Sequence, residues 1–543
     1  MSLKVGVVVW AEGTTVKFRI LEDVTVERGD ILKVEGHAVK HIIKVVDFKP
    51  ETLLTPIEIA RLSLKKARGE EVELYDGPLR YYDTAIATIV AEITRDGDVR
   101  RPTSVPKLFT DVYTLEEDEI EELNLDTGDI ELGFVRMGSK VTTCRVSISG
   151  AKAFPHHMLI CSITGGGKTN LGKVIAWNIM RLRDRRYSMV IVDTEGEYFD
   201  GGDSHHLGLV HSPSSEEGLF FVSYRVKDKG RITYRFRYNG ALIERRIRAC
   251  PLRISISSLH PDDFIETGEF TPPQESLLWL LWREHGDEWL DILLRRPIDS
   301  IYASLGRRVM KSTIAVTKRK VHMMIGDDGI FIEEDDYDVL GDILEAVLKG
   351  MVVLLDMPGA SDAQERLLTV IVTRRIFRKY EVERRINPSR WRRYPTVIIV
   401  IEEAHRYFSK AVLMKHGERR DNIFTTISKR GRKYRVGLCC ITQMPGELEE
   451  TIIRQQLTKI VLPLPTKPDY SKVVNYTPYL EGAEEEIKNL ERGEALLISP
   501  PSGIKFAVPL KIHQFEDLVY EELEEEVLKS KVISQDRRLK SSY

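Results

Sequence analysis

Cysteine is scarce in this chain, long apolar runs are missing, and neither sign of charge dominates. The five cysteines among 543 residues are Cys144, Cys161, Cys250 and the adjacent Cys439 and Cys440, with no C-x-x-C spacing. That scatter excludes a thiolate zinc site and a disulfide framework, and reads as small buried side chains in a reducing cytoplasm. No apolar run approaches the roughly 18 residues that suggest a membrane span. The opening MSLKVGVVVWAEGTT meets Glu12 too soon for a signal peptide. The expectation is a cytoplasmic protein with no membrane contact. Net charge is only −3, so a nucleic-acid surface would have to be local rather than global.

What is present has two grammars. Residues 1–150 read as short alternating strands, such as GVVVWA, TVKFRI, ILKVEG and AIATIVAEIT, separated by turn signals at Arg28-Gly29-Asp30 and Asp96-Gly97-Asp98. The pattern predicts a small β-barrel interrupted by a helical piece, TPIEIARLSLKKARGEE. Beyond it, HMLICSI, YSMVIVDTE, MVVLLDMPG, TVIIVIEEA and GLCCITQ are continuous apolar runs, the signature of parallel strands covered on both faces. Helical patterns lie between them, so the core is expected to be α/β with βαβ crossovers. The reading divides it into 151–250 and 346–515 around a helical insertion at 251–345. Residues 516–543 form a charged helix and tail, frayed at the end.

The chemistry centres on CSITGGGKTN, residues 161–170. A phosphate-binding loop reads G-x-x-x-x-G-K-[ST], delivered by a strand and followed by a helix. Here the strand and helix patterns are in place and Gly167, Lys168 and Thr169 match, but Ser162 replaces the first Gly. The amides of Gly165, Gly166, Gly167, Lys168 and Thr169 would cradle phosphates at a helix N-terminus, with Thr164, Asn170, Asp193 and Glu195 also on the nucleotide's side. Lys168 would reach the β- and γ-phosphates of ATP, and the Thr169 hydroxyl would ligate Mg²⁺. A hydrolase also needs acids. TVIIVIEEA ends in Glu402, placed to hold Mg²⁺, and Glu403, placed to activate water. VIVDTEGEY sets Asp193, Glu195 and Glu197 beside the loop, to act on water or metal or to cap a turn. Gln443 closes another strand where it can sense the γ-phosphate, and SKRGRKYRVG concentrates Arg430 and Arg432 just upstream.

Taken together, SITGGGKTN, VIVDTEGEY, VIEEAHRYF, GRKYRVGL followed by TQMPGEL, and RGEALL near Gly493 resemble the HerA branch of the FtsK–HerA superfamily of DNA-pumping ATPases. The resemblance spans roughly residues 1–515, including the N-terminal barrel pattern. It implies a RecA-like core, a homo-hexameric ring and movement along double-stranded DNA. It also implies ATP sites between subunits, completed by an arginine in trans that maps onto Arg432, with Arg430 next. Members of the archaeal type work with the NurA nuclease in trimming DNA ends for recombination; some bacterial relatives serve antiviral systems. Departures from the pattern are Ser162, Glu402 in place of Asp, and Arg435 where Gly is common. A nucleotide-dependent oligomeric scaffold without productive hydrolysis is the rival of a different class.

Two segments are candidates for DNA contact. Residues 374–393 hold nine Lys/Arg against two Glu, which reads first as the solvated face of a helix between core strands. The stretch after the acid pair, with Lys410, Lys415, Arg419 and Arg420, suits a channel-lining loop better, since each phosphate contact adds salt-dependent affinity.

Overall fold

The computed structural model describes residues 2–36, 39–72, 74–203, 206–327, 329–333, 337, 339–415, 418–419 and 421–540; the side chains of 415, 418, 419 and 530–540 are not described. The N-terminal strands run in the order Thr15–Ile20, Lys4–Glu12, Asp111–Thr114, Ile31–Glu35, Val39–Thr52 and Tyr81–Thr94, and the last pairs back onto the first. These six strands close on themselves, a short seventh, Val99–Arg100, pairs along Tyr81–Thr94, and alternate residues such as Val8, Val16, Phe18, Val34, Ile43 and Val45 fill the interior. The expected interruption is the helix Pro56–Ala67, started by a capping box between Thr55 and Glu58 with Pro56 at its first turn.

A thirteen-stranded sheet organises the remainder. Its order is Gly230–Tyr238, Ala241–Pro251, Leu219–Ser223, Val352–Asp356, Tyr187–Asp193, Thr396–Ile401, Val436–Thr442, Met158–Cys161, Thr458–Val461, Glu494–Ser499, Ile504–Ile512, Ile130–Met137 and Lys140–Ile148. Every neighbouring pair from Ala241–Pro251 to Thr458–Val461 is parallel, and those outside that block are antiparallel. The apolar runs are continuous because both faces are covered. Leu159, Cys161, Val190 and Val192 point into one core, while Met158, Ile160, Met189 and Ile191 point into the other.

Two expectations change. Ile130–Met137 and Lys140–Ile148, read with the barrel, hydrogen-bond to Ile504–Ile512 and extend the core sheet. An antiparallel hairpin, Gly230–Tyr238 with Ala241–Pro251, occupies the end of the first core segment before the helices begin. The expected C-terminal charged helix runs Phe515–Lys540, and residues 541–543 of the tail lie outside the described residues.

Buried charge fastens the parts together. The barrel's Lys44 meets Glu486 at 2.7 Å, and Glu486 also accepts from Arg136 of the core sheet at 3.2 Å. The basic run is likewise used internally at its start. Arg374, only 4% exposed at its side chain, pairs with Asp263 at 2.8 Å and Asp262 at 2.9 Å on the insertion. Arg384 donates to the Lys433 carbonyl and lies over Trp391 and Tyr434. Removing one partner of a buried pair leaves the other charge uncompensated. Arg374→Ala is therefore expected to destabilise the protein by about 3–5 kcal/mol, read as a lowered urea midpoint.

Candidate nucleotide site

The site forms where parallel strands end together. Cys161 lies in register with Thr442 on one side and Val461 on the other, so the chain leaving Met158–Cys161 opens into a crevice at the carboxyl edge of the sheet. The helix Lys168–Arg181 then starts at Gly167, whose φ of 109° suits glycine, as does the 75° of Gly165. The remaining glycine accounts for Ser162. A Cβ on Gly166 would stand 2.0 Å from Ser162 Oγ, so the hydroxyl fills the space beneath the loop. Ser162 is fully buried, and its Oγ has no hydrogen-bond partner among the described residues. The substitution is absorbed under the loop, away from the amides that face the cavity.

Lys168 donates to the carbonyls of Ile163 at 2.9 Å and Ser162 at 3.3 Å. Burial pushes its pKa down, and the charges of Glu403 and Glu402 oppose that shift. Glu403 has a φ of 43° on the turn after Thr396–Ile401, a left-handed backbone for a non-glycine residue. Gln443 donates to its Oε1 at 2.7 Å and His405 Nδ1 stands 3.3 Å from its Oε2. Gln443 also accepts from the Thr164 hydroxyl at 2.5 Å. One chain of contacts thus joins the phosphate loop to the second acid.

Glu402 is buried, and its pKa is pushed up to about 7, first by burial and further by Glu403 and Asp193. The hydroxyl of buried Tyr198 donates to Glu402 Oε1 at 2.9 Å, countering that rise. Asp193 explains how Tyr198 gets there. Its carboxylate accepts from the amides of Glu195 at 3.2 Å, Gly196 at 2.8 Å and Tyr198 at 2.9 Å, which fixes the turn. Gly172 leaves room for the ring, since a Cβ there would stand 2.5 Å from the Tyr198 hydroxyl. Asp193 is thereby committed to the turn, whereas Glu195 and Glu197 are exposed along the cavity. Asn170 is committed as well. Its amide donates to the His513 carbonyl and accepts from Phe515 N–H, both at 2.8 Å.

The resulting cavity of about 880 Å³ brings Thr164, Gly165, Gly167, Lys168, Thr169, Glu402, Glu403 and Gln443 together. Its oxygen donors, the Thr169 hydroxyl and the Glu402 carboxylate, are hard ligands that fit Mg²⁺. Arg430 and Arg432 are not there. Gly431 packs against His157 at the entry of Met158–Cys161, with 3.2 Å between its Cβ position and His157 Cε1. The loop leaves the far end of that strand, about 13 Å away at about 3.3 Å per residue. Both arginines are exposed on the helix Ile423–Tyr434, and neither has a charged partner among the described residues. Lys410 is exposed just beyond the acid pair. The side chains of Lys415 and Arg419, and Arg420 altogether, lie outside the described residues. Sequence reasoning missed Tyr198 and His405, although both stand inside the motifs that it singled out.

A strand–loop–helix delivering G-K-T to the carboxyl edge of a parallel sheet, faced by an acid pair, defines a RecA-like P-loop ATPase core. Residues 130–376 match the family model described as "Helicase HerA, central domain". This segment is thus similar to the central domain of HerA helicases. "DNA double-strand break repair helicase HerA" of Pyrococcus furiosus is 23% identical over 498 residues, covering 82% of this chain and 81% of that protein. The protein of the same name from Sulfurisphaera tokodaii is 24% identical, covering 78% and 76%. Among solved structures, the conjugative coupling protein TrwBdeltaN70 aligns with a TM-score of 0.47 at 12% identity, over 74% of this chain and 93% of that one. Among the described residues no helix is long and apolar enough to cross a membrane.

Glu402 supplies a pH test. A carboxyl must lose its proton to take a cation. Mg²⁺ affinity, measured by titration in the presence of ADP, is expected to rise about tenfold per pH unit below pH 7 and level off above it. In Glu402→Gln that slope disappears. Tyr198→Phe removes the bond that favours the ionised form, so its curve shifts to higher pH. The linked stability has the opposite sign. The raised pKa makes protonated Glu402 favour the fold below pH about 4.5, and this contribution is lost as pH rises through about 7.

Proposed function

We propose that this chain is an ATP-driven double-stranded DNA translocase, assembled as a homo-hexameric ring and acting with a NurA-like nuclease in double-strand-break end resection. The observation that carries the ATPase half is the convergence of the loop, Glu402, Glu403 and Gln443 in one crevice, linked through Thr164. The DNA half rests on kinship with chains named as double-strand break repair helicases.

In this mechanism the loop amides and Lys168 hold the β- and γ-phosphates of ATP, and Thr169 and Glu402 hold Mg²⁺. Mg²⁺ bound there would supply positive charge for the phosphoryl oxygens. Glu403 takes a proton from the attacking water. Arg432 or Arg430 of a neighbouring subunit stabilises charge on the transferred γ-phosphoryl group as ADP leaves, because neither reaches its own crevice. Gln443, bonded to both loop and base, carries the change in phosphate occupancy to the strand end. Lys410, exposed beyond the acid pair, is assigned to DNA phosphates that move as the nucleotide turns over.

The test is steady-state ATP hydrolysis by the purified protein alone and with single-stranded, linear duplex and closed-circular DNA, with Lys168→Ala as blank. Duplex-stimulated turnover absent from the blank is expected. Nucleotide binding without hydrolysis under any condition, nuclease partner included, would establish the scaffold reading instead.

A further inference from the structure

The cavity extends beyond the phosphate loop along a wall that the mechanism does not use, formed by Arg492, Gln514 and Glu516. This wall is fastened to the loop. A Cβ on Gly167 would lie 3.9 Å from Gly493 N, and one on Gly493 would lie 3.3 Å from Gln514 Nε2. The Asn170 amide binds the backbone on both sides of Gln514, at His513 and Phe515, and Ile512 N–H returns to the Gly493 carbonyl at 2.8 Å. The segment therefore holds a fixed position one residue after Thr169 in the helix's first turn. Its working side chains are uncommitted. The Gln514 amide and the Arg492 guanidinium make no hydrogen bond among the described residues, and both are exposed at the cavity. Glu516 is half-buried beside Lys173.

Resting on the nucleotide reading above, we infer that Arg492, Gln514 and Glu516 form the subsite for the nucleoside half of the nucleotide. With β- and γ-phosphates on Gly165–Thr169, the remaining phosphate and sugar must leave the loop along one of its walls. This wall offers chemistry that matches those parts. Arg492 meets the α-phosphate. Gln514 presents a donor and an acceptor side by side, the pairing that amides make with the adenine edge. Glu516 accepts from ribose hydroxyls, as a carboxylate does in dinucleotide sites. Asn170 is then a positioning residue, binding the wall rather than the nucleotide.

Competition against a fluorescent ATP analogue tests this, using ATP, GTP, 2′,3′-dideoxy-ATP and inorganic tripolyphosphate on wild type, Gln514→Ala and Glu516→Gln. In Gln514→Ala, ATP affinity should fall about tenfold and the preference for ATP over GTP should vanish, with tripolyphosphate unchanged. In Glu516→Gln the difference between ATP and its dideoxy form should disappear while the base preference stays. Equal weakening of ATP and tripolyphosphate, or no change in either variant, would overturn the subsite and leave the ATPase reading standing. Failure of the wild-type protein to bind any of these competitors would overturn both.

Discussion

Glu403→Gln is expected to cut ATP turnover by about 10²–10⁴-fold, the usual contribution of a positioned general base, with nucleotide affinity close to wild type. The argument begins at the backbone. A φ of 43° on a glutamate costs free energy, and the surrounding contacts hold it there. Gln443 fixes one carboxylate oxygen and His405 faces the other. The substitution keeps shape and volume, so it removes the proton acceptor while preserving the acceptor atom that Gln443 uses. Lys168→Ala should behave differently, because it removes a phosphate contact and so loses affinity as well as turnover. Steady-state rates read beside equilibrium binding of a fluorescent nucleotide separate the two patterns. Turnover near wild type in Glu403→Gln would move the base to another carboxylate on the cavity, with exposed Glu195 and Glu197 the first to examine.

The α/β core was legible because the physics that builds it is local. Residues such as Val190 and Ile191 face opposite cores, so the strand must be apolar throughout, and such runs declare themselves. Strand pairing is not local, and there the reading went astray. Lys140–Ile148 alternates as a barrel strand would, and nothing in its own residues says that Ile130–Met137 carries it onto Ile504–Ile512. GRITYRFRY also alternates, yet it lies at the end of a segment read as parallel core, and its hairpin was passed over. The site divides in the same way. Loop and acid pair were readable because their spacing is fixed by the phosphates and water they would serve. Asp193 was open between water or metal and a turn cap, and its carboxylate is spent on the turn; Asn170, grouped with the phosphate loop, is spent on a clamp. Ser162 looked like a defect until the bare Cα of Gly166 above it supplied the reason.

The position of Arg432 yields the largest expected effect, because it concerns two subunits at once. Arg432 is exposed near the C-terminal end of Ile423–Tyr434, at the edge of the sheet opposite the loop. No side-chain rotation carries it around the sheet to its own crevice. An arginine that cannot serve its own site can serve the next one in a closed head-to-tail ring. Arg432→Ala should then lower turnover by about 10³–10⁵-fold, the range for a finger supplied in trans, while its own Lys168, Thr169 and Glu402 still bind nucleotide. A mixing experiment makes this specific. Lys168→Ala subunits keep the arginine and lack a working loop; Arg432→Ala subunits have the reverse. Each alone should be inactive, yet in an equal mixture about a quarter of the interfaces join an intact loop to an intact arginine if assembly is random and head-to-tail. Turnover should reappear in that proportion after subunit exchange. A mixture as inactive as its components, with exchange verified by labelled subunits, would remove Arg432 from the site. The same pairing with Arg430→Ala would then decide whether its neighbour on the helix holds the role.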